Sequence, residues 1–353
     1  MAELKHFDVI VIGGGQSGLS VGYYLRRTQL NYIILDDQQT GGGAWQHGWD
    51  SLKLFSPAEH SSLPGWLMPK ATEEYPGRDH VINYLIEYET RYKLNIKRPV
   101  SVQDVTKKHD QYLVATSDGL YSCHCVVSAT GTWSKPHIPT YPGRQSFTGL
   151  QIHSAHYQSP DLFKNKKVMI VGGGNSAAQI LAEVSKVAST TWATLNTPRF
   201  LPDEVDGRYL FEFATKQYMA KLEGKTITPA GSLGDIVMTE SVKAAHAREV
   251  YESRDPFTAI YSDGVVWPDH TKESYDAIIW CTGFKSSLDH LAGLNITEHG
   301  KIETLETKAI NTSGLWLVGY GSWTGYASAT LIGVGRTART TVRQIQDHMT
   351  SIA

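Results

Sequence analysis

Val11-Ile12-Gly13-Gly14-Gly15-Gln16-Ser17-Gly18 and Ile170-Val171-Gly172-Gly173-Gly174-Asn175-Ser176-Ala177 are one glycine-rich turn written twice. Each follows a short β-branched run and opens a stretch of helical periodicity. In that setting a helix N-terminus holds a dinucleotide pyrophosphate, because its first N–H groups have no partner inside the helix. One such loop predicts one bound dinucleotide. Two predict a pair, with electrons passing from one to the other, in an α/β chain of two dinucleotide-binding (Rossmann-like) domains.

Working outward, the first loop leads through Leu19, Val21, Tyr24 and Leu25 to a strand at Tyr32-Ile33-Ile34-Leu35. Asp36 closes that strand about 20 residues after the first glycine, where an acid accepts hydrogen bonds from an adenosine ribose. Two runs around Asp118-Gly119 read as a hairpin, and the second ends in Ser128-Ala129-Thr130-Gly131. The second half repeats this order. It has a helix through Ala178, Ile180, Leu181 and Val184, a strand around Thr191 to Leu195, an Asp263-Gly264 turn, and Asp276 running to Cys281-Thr282-Gly283. The intervals from loop to closing glycine nearly match, which points to a duplicated plan. A late strand, Leu315 to Gly319, and a helix from about Ala327 are expected to return to the first domain, making the second an insertion.

The copies differ where it matters for ligand choice. The first has Gly18 in its last small position and the second Ala177; no acid follows the second strand, which reads Leu195-Asn196-Thr197-Pro198-Arg199. An acid there disfavours a 2′-phosphate and an arginine accommodates it, so Arg199 is a candidate contact for NADPH, with NADH left open.

Composition sets bounds. The 353 residues carry 33 basic and 35 acidic side chains, a net charge of −2, which implies no nucleic-acid partner. No apolar run approaches the ~20 residues of a membrane span, and the polar N-terminus leaves no room for a signal peptide. Three cysteines are too few for a disulfide framework, and without a C-x-x-C the redox-disulfide reductases drop out. Cys123-His124-Cys125 lies in an alternating strand with no further ligands nearby, so no metal is expected. A reducing cytoplasm fits best.

Phe147-Thr148-Gly149-Leu150-Gln151-Ile152-His153-Ser154-Ala155-His156-Tyr157 stands just ahead of the second loop. On these residues the chain resembles the flavin-containing monooxygenases, whose fingerprint is F-x-G-x-x-x-H-x-x-x-Y or F. Gly42-Gly43-Ala44-Trp45 is similar to that family's G-G-x-W segment, and Ala129-Thr130-Gly131 and Cys281-Thr282-Gly283-Phe284 to its hinges. The related Baeyer–Villiger enzymes usually carry tryptophan at the last fingerprint position, so Tyr157 points away from them. Among family members the chain looks most like the short bacterial type.

The resemblance implies FAD in the first domain, held at Gly13, Gly15, Gln16, Ser17, Gly18 and Asp36, with Gly43, Trp45 and the Ala129-Thr130-Gly131 hinge beside it. Gly325 and Ala327, at the turn before the last helix, would face the flavin pyrimidine. NADPH or NADH would lie on Gly172, Gly174, Asn175, Ser176 and Ala177, near Asn196, Thr197, Arg199 and the Cys281-Thr282-Gly283 hinge. His153 is given a structural role. The implied reaction inserts one oxygen atom from O2, through a flavin hydroperoxide, into a soft nucleophile such as a thioether or amine, with ketone oxidation as the near alternative.

No catalytic dyad is expected, since the cofactor carries the chemistry. Trp45, Phe55 and Arg208 are the pocket candidates. In Phe55-Ser56-Pro57-Ala58, Phe55 takes the place of an asparagine that the family commonly sets facing the flavin, which lends weight to an NAD(P)H oxidase or reductase releasing hydrogen peroxide. A non-catalytic nicotinamide sensor is disfavoured by the intact second loop. The expected domains are 1–157 with 285–353 for FAD and 158–284 for NAD(P)H. The expected partners are a small-molecule substrate and O2, with no membrane, and a homodimer is compatible.

Overall fold

The computed structural model describes residues 4–203, 205, 209, 216, 235–325 and 327–352. Arg208, a pocket candidate, and Tyr326 lie outside them. The chain divides into two units: Met1–Gln46, Ser56–Lys135 and Lys285–Ala353, and His47–Phe55 with Pro136–Phe284.

In the first unit, Leu315–Leu317, Gly119–Ser128, Lys5–Ile12, Tyr32–Leu35 and Ile96–Lys97 lie side by side in that order, all parallel. An antiparallel arm, Val102–Lys108 with Gln111–Thr116, extends the sheet from the Gly119–Ser128 strand. Ile10, Ile12, Ile33, Leu35 and Val126 form a core with Val105, Tyr112 and Val114 of the arm. Val9, Val11, Ile34 and Val127, pointing the other way, are as fully buried. Coverage on both faces is why these strands read as unbroken apolar runs rather than alternating ones. Each buried Ile or Val contributes roughly 1.5–3 kcal/mol.

In the second unit the order is Leu150–His153, Ala277–Trp280, Lys167–Val171, Ser189–Ala193, Ser253–Arg254, again all parallel. Val168, Ile170, Ala277 and Ile279 face the helix Asn175–Val184. Met169, Val171, Ile278 and Trp280 face a three-stranded antiparallel sheet carrying Ile260 and Val265.

The two strand orders correspond one to one: closing strand, loop strand, second strand and third strand occupy the same places. Only the strand on the other side of the closing strand differs in origin. In the first sheet it comes late in the chain, as Leu315–Leu317; in the second it comes early, as Leu150–His153.

That difference corrects the expected boundary. The fingerprint segment supplies a strand paired with Ala277–Trp280, so the division falls between Lys135 and Pro136 rather than after Tyr157. A second correction is His47–Phe55. It was expected in the FAD domain, but Trp49 and Leu52 pack into the core of the second unit beside Tyr157 and Phe163.

Two element ends also shift. The second strand of the second unit ends at Ala193 rather than near Leu195. The last helix begins at Leu331, not Ala327, because Ala327 sits at φ +57°, outside helical geometry.

Candidate active site

The first glycine loop joins strand Lys5–Ile12 to helix Gln16–Leu25. Gly13 has φ +104°, and a Cβ there would stand 2.6 Å from the Ala129 carbonyl oxygen. A Cβ on Gly18 would stand 1.9 Å from the Gly13 carbonyl oxygen, so helix and turn approach too closely for any side chain. Gly15 is different: its Cβ would meet only Gly43 Cα, at 3.8 Å. Gly15 is also the helix N-cap and offers no side-chain cap, which leaves the first-turn N–H groups facing an open cradle. That cradle fits one end of a dinucleotide.

Gln16 reaches across the helix start. Its amide N–H donates to the Ala329 carbonyl at 2.6 Å, and its Oε1 accepts from the Trp45 ring N–H at 3.5 Å. A Cβ on Gly43 would come within 2.7 Å of Gly15 Cα, so the Gly43 turn lies directly on the loop. Opposite, Gly319 lies against Ser17, whose Oγ would be 1.9 Å from a Gly319 Cβ. Gly325 has φ +129°, and the Gly131 carbonyl accepts from the Ser287 N–H at 2.9 Å. Gly13, Gly15, Gln16, Ser17, Gly18, Gly43, Trp45 and Ala129 thus gather around the turn at the C-terminal end of strand Lys5–Ile12.

Asp36 is buried beside the loop, and its two oxygens have different partners. Oδ1 accepts from the Gly14 N–H at 3.1 Å, and Oδ2 from Arg98 Nε at 2.9 Å. The other two guanidinium nitrogens bind both oxygens of Glu89, at 2.7 and 2.9 Å. Burial works against the charge on Arg98; the Glu89 and Asp36 carboxylates outweigh it and raise its pKa. A carboxylate has about four acceptor positions, so Asp36 keeps capacity for a ribose. Nothing in the sequence around Arg98 announced this triad.

A second buried group ties the strand ends together. His290 Nε2 lies 3.0 Å from Ser128 Oγ, the Tyr320 hydroxyl lies 2.6 Å from Ser128 Oγ and 2.7 Å from Thr130 Oγ1, and Thr130 donates to the Ser287 carbonyl at 2.6 Å. Burial lowers the His290 imidazole to about 4, although Asp289 opposes the shift. The ring is therefore neutral at pH 7.

The second loop repeats the geometry with telling differences. Gly172, at φ +126°, leaves no room, since a Cβ would meet the Cys281 carbonyl oxygen at 2.2 Å. Gly174 is the N-cap of helix Asn175–Val184, again without a side-chain cap, and a Cβ there would have nothing within 4 Å. Ala177, in the place of Gly18, is fully buried without difficulty. Asn175, expected to touch cofactor, is committed elsewhere: its NH2 donates to the Asp235 carbonyl at 2.9 Å and its Oδ1 accepts from the Val237 N–H at 2.8 Å. Its side chain positions a loop, leaving Ser176 and the backbone N–H groups for a ligand.

Register also sharpens the missing acid. Ile12 pairs with Leu35 and Val171 with Ala193, so Thr194 stands where Asp36 stands in the first unit. A Cβ on Gly173 would lie 3.6 Å from Thr194 Cβ. A neutral residue next to the loop does not repel a 2′-phosphate. Asn196, Thr197 and Arg199 are exposed just beyond, with the Arg199 carbonyl accepting from the Ile236 N–H at 2.8 Å.

The fingerprint residues explain themselves as architecture. Phe147 is in the core, and a Cβ on Gly149 would clash with the Asp276 carbonyl oxygen at 2.6 Å. His153 Nε2 donates to the Gly283 carbonyl at 3.0 Å and Nδ1 accepts from the Ala155 N–H at 3.1 Å, a tautomer fixed by its partners. Burial lowers its pKa despite the Gly283 carbonyl. Thr282 donates to the His137 carbonyl, and burial pushes the Cys281 thiol up. The Tyr157 hydroxyl donates to Glu183 at 2.8 Å, and Glu183 also accepts from Ser51.

Both nitrogens of His153 are thus occupied. His153→Leu is expected to cost about 2 kcal/mol of stability and to leave the shape of the pH–rate profile unchanged. Loss of a single ionisation from that profile would mean the ring does exchange protons.

Phe55, expected to line a pocket, packs against Leu201, Val205 and Val237 in the second unit. Among the described residues no group of histidines, cysteines or carboxylates could hold a metal ion, and no helix is long and apolar enough to cross a membrane.

The family described as pyridine nucleotide-disulphide oxidoreductase matches residues 10–319. A solved flavin-containing monooxygenase from Stenotrophomonas maltophilia is 47% identical, covers 98% of this chain and 100% of its own, and superposes with a TM-score of 0.90. An uncharacterized oxidoreductase, CzcO, of Bacillus subtilis is 30% identical over 346 residues, 96% of this chain and 99% of the relative. The S-allyl-L-cysteine S-oxygenase of Allium sativum shares the fold, with a TM-score of 0.67 at 18% identity over 99% of this chain and 81% of its own.

Proposed function

This chain belongs to the pyridine nucleotide-disulphide oxidoreductase family and, within it, to the flavin-containing monooxygenases, and on that premise we propose that it oxygenates a soft nucleophile, a thioether or amine. It is an FAD- and NADPH-dependent oxidoreductase. The observation that carries the reading is a pair of open, glycine-capped cradles in one chain, with Asp36 beside the first and neutral Thr194 beside the second. The family's name includes disulphides, but the described cysteines are free and Cys123 and Cys125 are buried in a strand, so a dithiol relay is not part of the proposal.

In this reading Gly13, Gly15, Ser17 and Gly18 hold the FAD pyrophosphate and Asp36 its ribose, while Gly172, Gly174, Ser176 and Ala177 hold NAD(P)H. FAD, when bound, supplies the redox chemistry: a hydride from NAD(P)H and one proton from solvent are consumed with O2, one oxygen atom entering the product and the other leaving as water. The chain's own work is to bind and orient. Helix N-termini stabilise the two pyrophosphates, Arg98 holds Asp36 in place, and Thr194 leaves space and neutral surroundings for a 2′-phosphate. Trp45, tied to Gln16, shapes the first cradle beside Gly43. The last fingerprint position is Tyr157, bonded to Glu183, where the Baeyer–Villiger enzymes usually carry tryptophan, and this favours thioethers and amines over ketones. Free cysteines agree with a reducing cytoplasm.

The test is a balance sheet of products. Purified protein is expected to be yellow and, given NADPH, O2 and a small methyl thioether, to form about one sulfoxide per NADPH. Complete recovery of the electrons as hydrogen peroxide, with no oxygenated product from thioether, amine or ketone, would make it an NAD(P)H oxidase instead.

A further inference from the structure

The hydroxyl chain of the first unit has a direction that follows from counting protons. The Ser287 carbonyl can only accept, so Thr130 spends its one hydroxyl proton there. Thr130 must then accept from Tyr320, and Tyr320, having given its proton, must accept from Ser128. Ser128 in turn has no proton left for His290, so His290 Nε2 must be the donor. Every bond is one-way, from His290 to the Ser287 carbonyl. Both ends lie on one short segment, so the chain closes into a ring that pins that segment to the ends of strands Gly119–Ser128 and Leu315–Leu317.

The residues it fixes stand on both sides of the first glycine loop. The Thr130 Cα would be 3.2 Å from a Gly13 Cβ, and Gly319, the neighbour of Tyr320, lies against Ser17. A shift of either wall moves the N–H groups that would face the pyrophosphate. We infer that His290 is a positioning residue of the FAD cradle, acting as the obligatory first donor of the His290–Ser128–Tyr320–Thr130 ring. This rests on the reading of the first loop as an FAD site. Removing the first donor leaves Ser128 buried with an acceptor unfilled, and removing the Tyr320 hydroxyl breaks the ring in its middle; either lets the walls relax when the cofactor is absent.

The experiment is equilibrium binding of FAD to the deflavinated protein, read by quenching of flavin fluorescence. His290→Leu and Tyr320→Phe are expected to weaken FAD about ten-fold or more. His290→Gln, whose amide nitrogen can still donate, is expected to stay within about three-fold of wild type, and NADPH affinity at the second loop is expected to be unchanged. Rescue by glutamine is the readout that a simple packing role would not give. FAD binding unaltered in His290→Leu, or glutamine failing as badly as leucine, overturns the inference. Should the leucine variant not fold, Tyr320→Phe, which keeps the aromatic group and its packing while losing the hydroxyl, decides alone: unaltered FAD affinity there also overturns it. A wild-type protein that takes up no FAD defeats the functional reading itself, and this inference with it.

Discussion

Gly174→Val is expected to give a folded, yellow protein that no longer consumes NADPH. The argument turns on empty space. A Cβ at Gly174 meets nothing within 4 Å, and the residue has φ −107° and ψ −173°, extended backbone that valine adopts freely. Stability should therefore change by no more than about 1 kcal/mol, the scale of a poorer N-cap. The isopropyl group, however, fills the approach to the N-terminus of helix Asn175–Val184, where a pyrophosphate would be held by backbone N–H groups. Losing those charge-assisted bonds, about 1.5–3 kcal/mol each, should weaken NADPH at least about a hundred-fold. Titration of NADPH against the variant, with flavin content as the control, measures it. Unchanged affinity would remove the second loop from the site. Gly172, two residues earlier, should behave oppositely: with the Cys281 carbonyl oxygen 2.2 Å from its Cβ position, a side chain there damages the fold itself.

Arg98→Met carries the largest expected loss of stability. The guanidinium bridges Asp36, with 5% of its side chain exposed, and Glu89, with 13% exposed. Methionine fills much of the volume but leaves two buried carboxylates with no cation. Breaking a buried pair from one side typically costs 3–5 kcal/mol, and the slight exposure here argues for the lower end, about 3 kcal/mol. Denaturant unfolding of the flavin-free protein should show that loss, and FAD should bind more weakly because Asp36 loses the contact that orients it. Arg98→Lys should recover little, since one ammonium cannot span Asp36 and both Glu89 oxygens. A variant within about 0.5 kcal/mol of wild type would mean the triad does not hold Asp36.

What could be read from the chain and what could not divide along a physical line. Strand, glycine turn and helix are local, so Gly13 to Gly18, Gly172 to Ala177 and Asp36 declared themselves through spacing. Thr194 was obscured because the second strand stops at Ala193, and only pairing with Val171 fixes which residue faces the loop. The roles of Asn175, Arg98 and His290 each depend on at least one partner 60 or more residues away in the chain. No periodicity encodes such partners. Trp49 and Phe55 were misplaced for the same reason: a short apolar segment does not say which of two cores it enters.

His47–Phe55 has a consequence for modularity. The second unit resembles a cassette, entered at Pro136 and left at Phe284, that recombination could lift whole into another protein. Lifted that way, it would leave behind the indole of Trp49, which closes its core over Tyr157, and the Ser51 partner of Glu183. Its host carries a piece of it in the chain between Gln46 and Ser56. Inheritance of the two units must therefore be joint: each can diverge in sequence, but neither can be traded separately without opening a core.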